Sequence, residues 1–104
     1  MSIVSVYAIF VDAEEAERIG LAVVEERLGA CINILGPVRS IYRWHGNVER
    51  SDEVAAIFKT SEAGADGLIA RIAALHSYEI PCITAWPVTN VLEPYTAWVE
   101  DAVG

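Results

Sequence analysis

The chain has 104 residues, of which 54% are hydrophobic, and it carries a net charge of −8 at pH 7. Its few, scattered Lys and Arg residues exclude nucleic acid and anionic membranes as expected partners, because both require clustered positive charge. The length predicts a single domain over residues 1–104. The hydrophobic fraction exceeds the ~45–50% usual for a soluble domain and indicates that some apolar surface lies between subunits.

The first predicted unit is a strand followed by a helix. Residues 2–11, SIVSVYAIFV, are nearly continuous in apolar side chains, which is typical of a central strand covered on both faces. Asp12, with Glu15 three residues later, has the form of a capping box at the start of a helix. Apolar residues then recur at helical spacing up to Gly29, the residue predicted to end the helix.

The next segment predicts one very long β-hairpin. Its arms are Cys31–Trp44 and Val48–Thr60, joined by a turn at residues 45–47. At ~3.3 Å per residue each arm is ~40 Å long, whereas a 100-residue domain has a radius of gyration of only ~13 Å. The hairpin should therefore overhang its own domain. A bulge is expected at Gly36-Pro37, because proline cannot donate to a strand ladder.

The overhanging part carries apolar side chains that a monomer would rarely leave in water: Ile41, Tyr42, Trp44 and Val48. Unpaired strand edges with such side chains tend to pair with another chain. We therefore expect the hairpin to lie on another subunit. Tyr42 and Trp44 share one strand face and are the expected aromatic anchors of that contact.

The C-terminal half predicts a helix, a strand and a short last helix. Ser61 is the expected cap of a helix whose apolar face comprises Ala65, Leu68, Ile69, Ile72 and Leu75. After a loop at His76–Glu79, the strand Ile80–Val88 contains two prolines, which indicates a sheet edge. The terminal helix, Glu93–Ala102, places Tyr95 and Trp98 along one face, and both are candidates for an interface.

The order βαββαβ is that of the α+β ferredoxin-like fold, an antiparallel sheet with helices packed on one face. In that fold the second and fourth strands lie on opposite edges, so Cys31 and Cys82 should not meet within one subunit. Both cysteines lie in strand-like runs and are expected to be buried, reduced thiols. Head-to-tail pairing of the two edges around a ring would cover both edges and close the assembly.

Four blocks of sequence are distinctive when taken together: CINILGPVRSIYRWHGNVE, IFKTS, HSYEIPCITAWPV and Tyr95-x-x-Trp98. In order and spacing they resemble the CutA family of divalent-cation-tolerance proteins, over nearly the whole chain. The resemblance implies a ferredoxin-like subunit assembled into a homotrimer, similar in architecture to the PII-type nitrogen-signalling proteins. It also implies a function in the tolerance of copper and other divalent cations.

Copper and zinc favour imidazole and thiolate ligands, which makes His76 and Cys31 candidate metal ligands, with Glu79 as an oxygen donor. The spacing of these three residues defines no site, so folding or a neighbouring subunit would have to assemble one.

Two departures from the family pattern bear on this site. The resemblance associates copper with a cysteine on the first strand and with a histidine pair. Here those positions hold Phe10 and Leu75-His76, so only His76 matches. In addition, Ser77 stands where the family usually has proline.

A pocket between subunits is a second candidate site, with Lys59, Glu79 and Tyr42 as its lining. The alternative for Lys59 is that its stem packs on the sheet while its ammonium group reaches water or pairs with a carboxylate.

No enzyme activity is expected. The segment GPVRSIYR resembles the phosphate-binding loop of acylphosphatases, which share this fold. In those enzymes the loop links the first strand to the first helix. That connection is Val11-Asp12-Ala13 here, with no glycine and no cationic residue to hold an anion.

Two functions remain open. The first is a trimeric, cytoplasmic metal-binding or signalling module whose inter-subunit clefts bind copper or another divalent cation, without an organic cofactor. The second is a PII-like structural or adaptor trimer that senses a small molecule or a partner protein.

A cytoplasmic location is expected from two features of the sequence. The N-terminus has no signal-peptide pattern, and the sequence has no run of ~18 apolar residues, which a membrane span needs.

Overall fold

The computed structural model describes residues 2–104; Met1, the first residue of the predicted domain, lies outside that range. The elements are β1 (Ile3–Phe10), α1 (Ala13–Glu25), β2 (Cys31–Trp44), β3 (Asn47–Ser61), α2 (Ala65–Leu75), β4 (Ile83–Val88) and α3 (Glu93–Ala102). The strands form an antiparallel sheet in the order β2-β3-β1-β4. The predicted α+β ferredoxin-like fold with a long β2-β3 hairpin is confirmed, and the two edges are β2 and β4, as expected.

β1 is a central strand whose alternate residues divide the interior into two layers. Val4, Val6, Ala8 and Phe10 are buried against residues of α1 and α2. On the opposite face of the sheet, Ile3 packs with Ala30 and with Val99 of α3. α1 and α2 therefore share one face, while α3 covers one end of the other. The remaining end of that second face lies beside the hairpin.

The hairpin overhangs the domain, as the arm lengths predicted. At the end of β1, Phe10 pairs with Val54, and beyond this pair the described arms of β2 and β3 pair with each other. Residues 38–44 and 47–53 form this overhang, which extends ~23 Å at ~3.3 Å per residue. The molecule measures 45 × 26 × 22 Å, so the hairpin sets its long dimension.

The hairpin turn is one residue shorter than predicted. Trp44 pairs with Asn47, which leaves His45 and Gly46 as the turn, with φ angles of 50° and 83°. Positive φ at both positions is the type I′ geometry, whose twist matches that of the flanking strands. The predicted bulge is present, because the register shifts between Ile34 and Gly36.

The predicted end of the first helix was wrong. α1 ends at Glu25, and Arg27, with φ 62°, takes the left-handed position that Gly29 was expected to fill. The N–H groups of Arg27 and Leu28 donate back to carbonyl oxygens of the last turn at 3.0 and 2.9 Å. This Schellman arrangement satisfies the helix end two residues earlier than the glycine.

Two boundaries in the C-terminal half also differ from the predictions. Ser61 is the last residue of β3, and its Oγ accepts the N–H of Gly64 at 3.1 Å, so it closes the connecting turn instead of capping α2. β4 begins at Ile83, three residues later than predicted. Pro81 has no N–H to donate to a ladder, which explains the late start.

The two cysteines are not buried as predicted, because Cys31 is partly exposed and Cys82 is exposed. Cys31 begins the edge strand β2, and Cys82 directly precedes the edge strand β4. Within one subunit an edge has a neighbouring strand on one side only, which leaves these side chains less covered.

Candidate functional site

Glu15 fastens the segment after α2 to the start of α1. Its carboxylate is buried and accepts the backbone N–H groups of Val11 at 3.0 Å and Ser77 at 2.9 Å. Asp12 caps α1 as predicted by accepting the N–H of Glu15 at 2.8 Å. Burial raises the pKa of Glu15, but hydrogen bonds from Ser77 and Val11, together with nearby His76, outweigh it and hold the pKa below its usual range. Glu15 is therefore an ionised tether for the loop.

His76 lies beside this tether, with both ring nitrogens in use. Its side chain is 0% exposed. Nδ1 accepts the N–H of Tyr78 at 3.0 Å, which leaves Nε2 to carry the proton and donate to the Ile9 carbonyl at 2.7 Å. Within one subunit the ring does not fit a metal ligand, because metal binding would require one of these hydrogen bonds to break.

Two of the three positions that depart from the family pattern, Phe10 and Leu75, lie in or against the core, whereas Ser77 is exposed. Phe10 is fully buried and its ring stacks on that of His76, with centroids 5.2 Å apart. Leu75 packs against the cluster between the sheet and α1–α2. Where the resemblance implies a cysteine on the first strand, the chain therefore places an aromatic ring, which supplies no metal ligand.

Cys31 and Lys59 lie at the other end of the sheet. Cys31 pairs with Lys59, and Lys59 pairs with Ser5 of β1, whereas His76 contacts Ile9. Ser5 and Ile9 are four residues apart, which is ~13 Å along a strand. Within one subunit, Cys31 and His76 are thus not brought together.

α3 covers the Cys31 end of the sheet. The Cys31 thiol and the Tyr95 hydroxyl lie 3.6 Å apart, and the rings of Tyr95 and Trp98 stack with centroids 5.7 Å apart. Burial, assisted by the contact with Cys31, raises the pKa of Tyr95 to about 12. Trp98 remains 49% exposed, so α3 presents an aromatic surface outside the subunit core.

An open cleft of about 730 Å³ lies between the overhanging hairpin and the loop after α2. One wall is a face of the hairpin, and the other is formed by residues 77–80. The lining comprises Ile9, Ser40, Tyr42, Arg43, Trp44, Ser51, Glu53, Ser77, Tyr78, Glu79, Ile80 and Cys82. Folding therefore brings Tyr42, Trp44 and Glu79 to one cleft, whereas Lys59 lies elsewhere on the sheet.

The most buried polar residue of the cleft is Glu53, which is 8% exposed. Its Oε1 accepts the Tyr78 hydroxyl at 2.7 Å, and the hydroxyls of Tyr42 and Ser51 bond to each other at 2.7 Å. Burial, followed by the bond to Glu53, raises the pKa of Tyr78 above its usual range. We call this space, whose walls include Tyr42, Trp44, Glu53 and Tyr78, the hairpin cleft.

Sequence reasoning missed Glu53 and Tyr78. Glu53 lies two residues after Ser51 on the hairpin, so strand alternation places both on one face. The position of Tyr78 opposite that face depends on how the loop returns from α2, which has no local sequence signal.

The metal-ligand hypothesis for His76, Cys31 and Glu79 stays a prediction. In the range 2–104, no cluster of three or more His, Cys, Asp or Glu side chains is placed to hold a metal ion. A site built from these three residues would have to combine side chains of more than one subunit.

A ferredoxin-like sheet with a hairpin extending well beyond it, and a cleft beneath that hairpin, defines the structural class of the chain. The family model for the CutA1 divalent ion tolerance protein matches residues 4–102. The divalent-cation tolerance protein CutA of Thermotoga maritima is 41% identical over 98 residues, which cover 94% of this chain and 96% of the relative.

Solved structures agree with this match. The crystal structure of CutA from Xylella fastidiosa has a TM-score of 0.96 and 31% identity, covering 100% of both chains. A structure from Archaeoglobus fulgidus, described as a periplasmic divalent cation tolerance protein CutA, has a TM-score of 0.94 and 34% identity over 98% of this chain and 99% of that one. The chain belongs to the CutA1 divalent ion tolerance family. None of the helices within residues 2–104 has the length and apolar character needed to cross a membrane.

Proposed function

We propose that the chain is a cytoplasmic, homotrimeric divalent-cation tolerance protein that binds a cation or signals its presence without catalysing a reaction. The observation that carries the cation-related function is the family match over residues 4–102. Copper is the proposed cation, and its proposed ligands are Cys31, Glu79 and His76 from more than one subunit. His76 can take part only if its hydrogen bond to Ile9 or to Tyr78 breaks on metal binding.

The exposed hairpin supports the oligomer. Ile41 and Val48 on the overhang are 67% and 62% exposed, and Trp86 on β4 is 44% exposed. Both open sheet edges, β2 and β4, therefore carry apolar side chains that a second copy would cover. Head-to-tail pairing of these unlike edges closes a ring, and the resemblance implies three members.

Native mass spectrometry with and without copper or zinc tests both parts of the proposal in one experiment. A trimer that takes up three metal ions, or a multiple of three, is expected. A trimer that takes up no metal specifically would remove the metal-binding function and retain the architecture. A monomer would contradict the interpretation of the hairpin.

His76→Ala is the variant that tests the proposed ligand, with His45→Ala as the matched control at the exposed hairpin turn. Equilibrium dialysis with copper should show weaker binding for His76→Ala and unchanged binding for His45→Ala. Equal binding by both variants would eliminate His76 as a ligand.

A non-catalytic function is consistent with the connection between β1 and α1. The N–H of Val11 is bonded to the carboxylate of Glu15. An anionic substrate at this connection would meet a negative charge in place of the cradle that phosphate binding requires.

The hairpin cleft favours a second function, the sensing of a small molecule. Its volume lies within the ~300–1,000 Å³ that is usual for small-molecule sites, and it combines aromatic walls with a few polar groups. In a thermal-shift screen of metabolites, at least one chemical class should then raise the midpoint of thermal unfolding. A screen without any response would count against this function.

A further inference from the structure

We propose that His76 binds the cation through Nδ1 and that Tyr78 is a lid, which must leave this nitrogen before the cation can bind. The inference rests on the copper-binding function proposed above and specifies how His76 takes part in it.

The two nitrogens of the His76 ring have different surroundings. Nε2 donates to the carbonyl oxygen of Ile9 at 2.7 Å, and Ile9 belongs to β1, a central strand with β3 on one side and β4 on the other. A cation at Nε2 would lie between the ring and this strand, where side chains of another subunit cannot reach. Because the proposed site combines ligands from more than one subunit, Nε2 is the unsuitable nitrogen.

The carboxylate of Glu15 does not make Nε2 a better site. Its Oε1 lies 3.9 Å from Nε2, but its oxygens already accept the N–H groups of Val11 and Ser77. A cation held by Nε2 and Glu15 would compete with these two bonds as well as with the bond to Ile9. At Nδ1 the cation competes with one hydrogen bond, that of Tyr78.

Nδ1 already has the properties of a metal ligand. In the tautomer that the hydrogen bonds fix, Nε2 carries the proton and Nδ1 presents its lone pair, so no proton has to leave the ring. Metal-binding histidines usually donate their other ring N–H to a backbone carbonyl or a carboxylate, which orients the ring. The bond from Nε2 of His76 to Ile9 can therefore stay intact while Nδ1 binds the cation.

Tyr78 is the group that blocks Nδ1. Its N–H donates to the lone pair at 3.0 Å, and its ring lies against the imidazole of His76, with centroids 4.8 Å apart. Phe10 also contacts the imidazole, but Phe10 is fully buried. Tyr78 lies in a loop between the exposed residues Ser77 and Glu79. Tyr78 is therefore the part of the cover that can move.

A hydrogen bond to the hairpin holds this lid closed. The Tyr78 hydroxyl donates to Oε1 of Glu53 at 2.7 Å. The side chain of His76 is 0% exposed within its own subunit, so a neighbouring subunit can add to this cover but cannot replace it. When the lid opens, the freed N–H of Tyr78 can bond to water, because the residues on both sides of it are exposed. Glu79, a further proposed ligand, directly follows Tyr78 and moves with it.

The strength of the Tyr78–Glu53 bond should therefore limit the affinity for copper. A ligand that binds only a partly populated state has its affinity lowered by the fraction of that state. Tyr78→Phe keeps the ring and removes the hydroxyl, which raises the population of the open lid. Equilibrium dialysis should show that this variant binds Cu²⁺ about tenfold more tightly than wild type, the value of one hydrogen bond to a charged group. Equal or weaker binding would overturn the inference.

Tyr7→Phe is the matched control. It makes the same chemical change on β1, where the ring of Tyr7 lies against that of Trp86, with centroids 6.0 Å apart. The control should bind Cu²⁺ as wild type does, and native mass spectrometry should show the same oligomer for both variants. An equal gain in affinity in both variants would overturn the explanation by the Tyr78–Glu53 bond.

Hydrogen exchange of the wild-type protein tests the lid without any substitution. With fragmentation that resolves single amides, saturating Cu²⁺ should speed exchange at Tyr78, whose N–H loses its acceptor. The amide of Ser77, which donates to Glu15, should stay protected. A Tyr78 amide that stays protected in the copper-loaded protein would overturn the inference, whatever Tyr78→Phe does.

Failure of this inference can be distinguished from failure of the proposed function. If neither wild type nor Tyr78→Phe binds Cu²⁺, both are overturned. If wild type binds Cu²⁺ and His76→Ala binds it equally well, the copper-binding function remains and the inference is overturned. Binding that is detected only after Tyr78→Phe would support the lid, because the open state would then be the one that binds.

Discussion

Replacement of Glu15 by alanine should loosen the wall of the hairpin cleft and destabilise the fold. The substitution removes the acceptor of two backbone N–H groups, those of Val11 and Ser77. Ser77 begins the loop that carries Tyr78, and Tyr78 bonds to Glu53 across the cleft. Loss of these hydrogen bonds therefore affects the start of α1, the loop after α2 and, through Tyr78, the hairpin.

The size of the loss in the free energy of unfolding depends on how buried the hydrogen bonds of Glu15 are. A hydrogen bond to a charged group contributes ~1.5–3 kcal/mol. Val11 and Ser77 are themselves exposed, so water can replace part of what is lost, and the lower end of that range applies to each bond. Two bonds at that end give a loss of about 3 kcal/mol in the free energy of unfolding. The helix propensity that alanine adds is a few tenths of a kcal/mol and does not change the sign.

Urea-induced unfolding, followed by circular dichroism at one fixed protein concentration, measures this difference. The fixed concentration matters because oligomerisation contributes to apparent stability. Glu17→Ala is the matched control on the exposed side of α1 and should stay within about 0.5 kcal/mol of wild type. A Glu15→Ala protein as stable as this control would refute the tether.

Three further outcomes are expected. The pKa of Glu15 is lowered in the folded protein, so its contribution to stability is complete above the unfolded-state pKa of 4.5 and is lost as the pH falls through the folded pKa. The difference in stability between wild type and Glu15→Gln should therefore shrink in that acidic range. A difference that stays constant with pH would contradict this expectation. Gly20→Ala places a Cβ 2.7 and 2.8 Å from atoms of Ile32. The overpacking cost of ~1–3 kcal/mol should exceed the ~1 kcal/mol gained in helix propensity, so the variant should be less stable than wild type. A higher midpoint of thermal unfolding would show that Ile32 can move aside. Trp44→Asp should dissociate the assembly, and a fully trimeric variant in analytical ultracentrifugation would show that the hairpin does not carry the contact.

Local sequence patterns predicted most of the fold because they report on single elements. The apolar run of β1, the spacing of α1 and the length of the hairpin arms each reflect a period or a count that the backbone imposes. Predictions that depended on one residue were less successful. Arg27 takes the left-handed position in place of Gly29, because the backbone hydrogen bonds of Arg27 and Leu28 and the bond from the Arg27 guanidinium to Asp101 offset its cost of ~1–2 kcal/mol.

The candidate site was predicted only in part, for a physical reason. Tyr42 and Glu79 were expected in a pocket between subunits and Trp44 in a subunit contact, because aromatic residues on an overhang and a carboxylate in a loop are visible in the sequence; these roles stay predictions. Glu53 and Tyr78 were missed, because nothing local distinguishes a buried carboxylate from an exposed one on a strand. His76 was recognised as a candidate ligand, yet its ring nitrogens bond to Ile9 and Tyr78.

The sequence by itself determined the elements, their order and the overhang of the hairpin, since these follow from side-chain periodicity and chain length. The tertiary structure alone decided which distant residues meet. Glu15 and Ser77 are separated by 62 positions and Glu53 and Tyr78 by 25. Their contacts arise from how α2 and the following loop pack on the sheet. Packing of this kind is a property of the whole core, and for that reason the cleft emerged only with the fold.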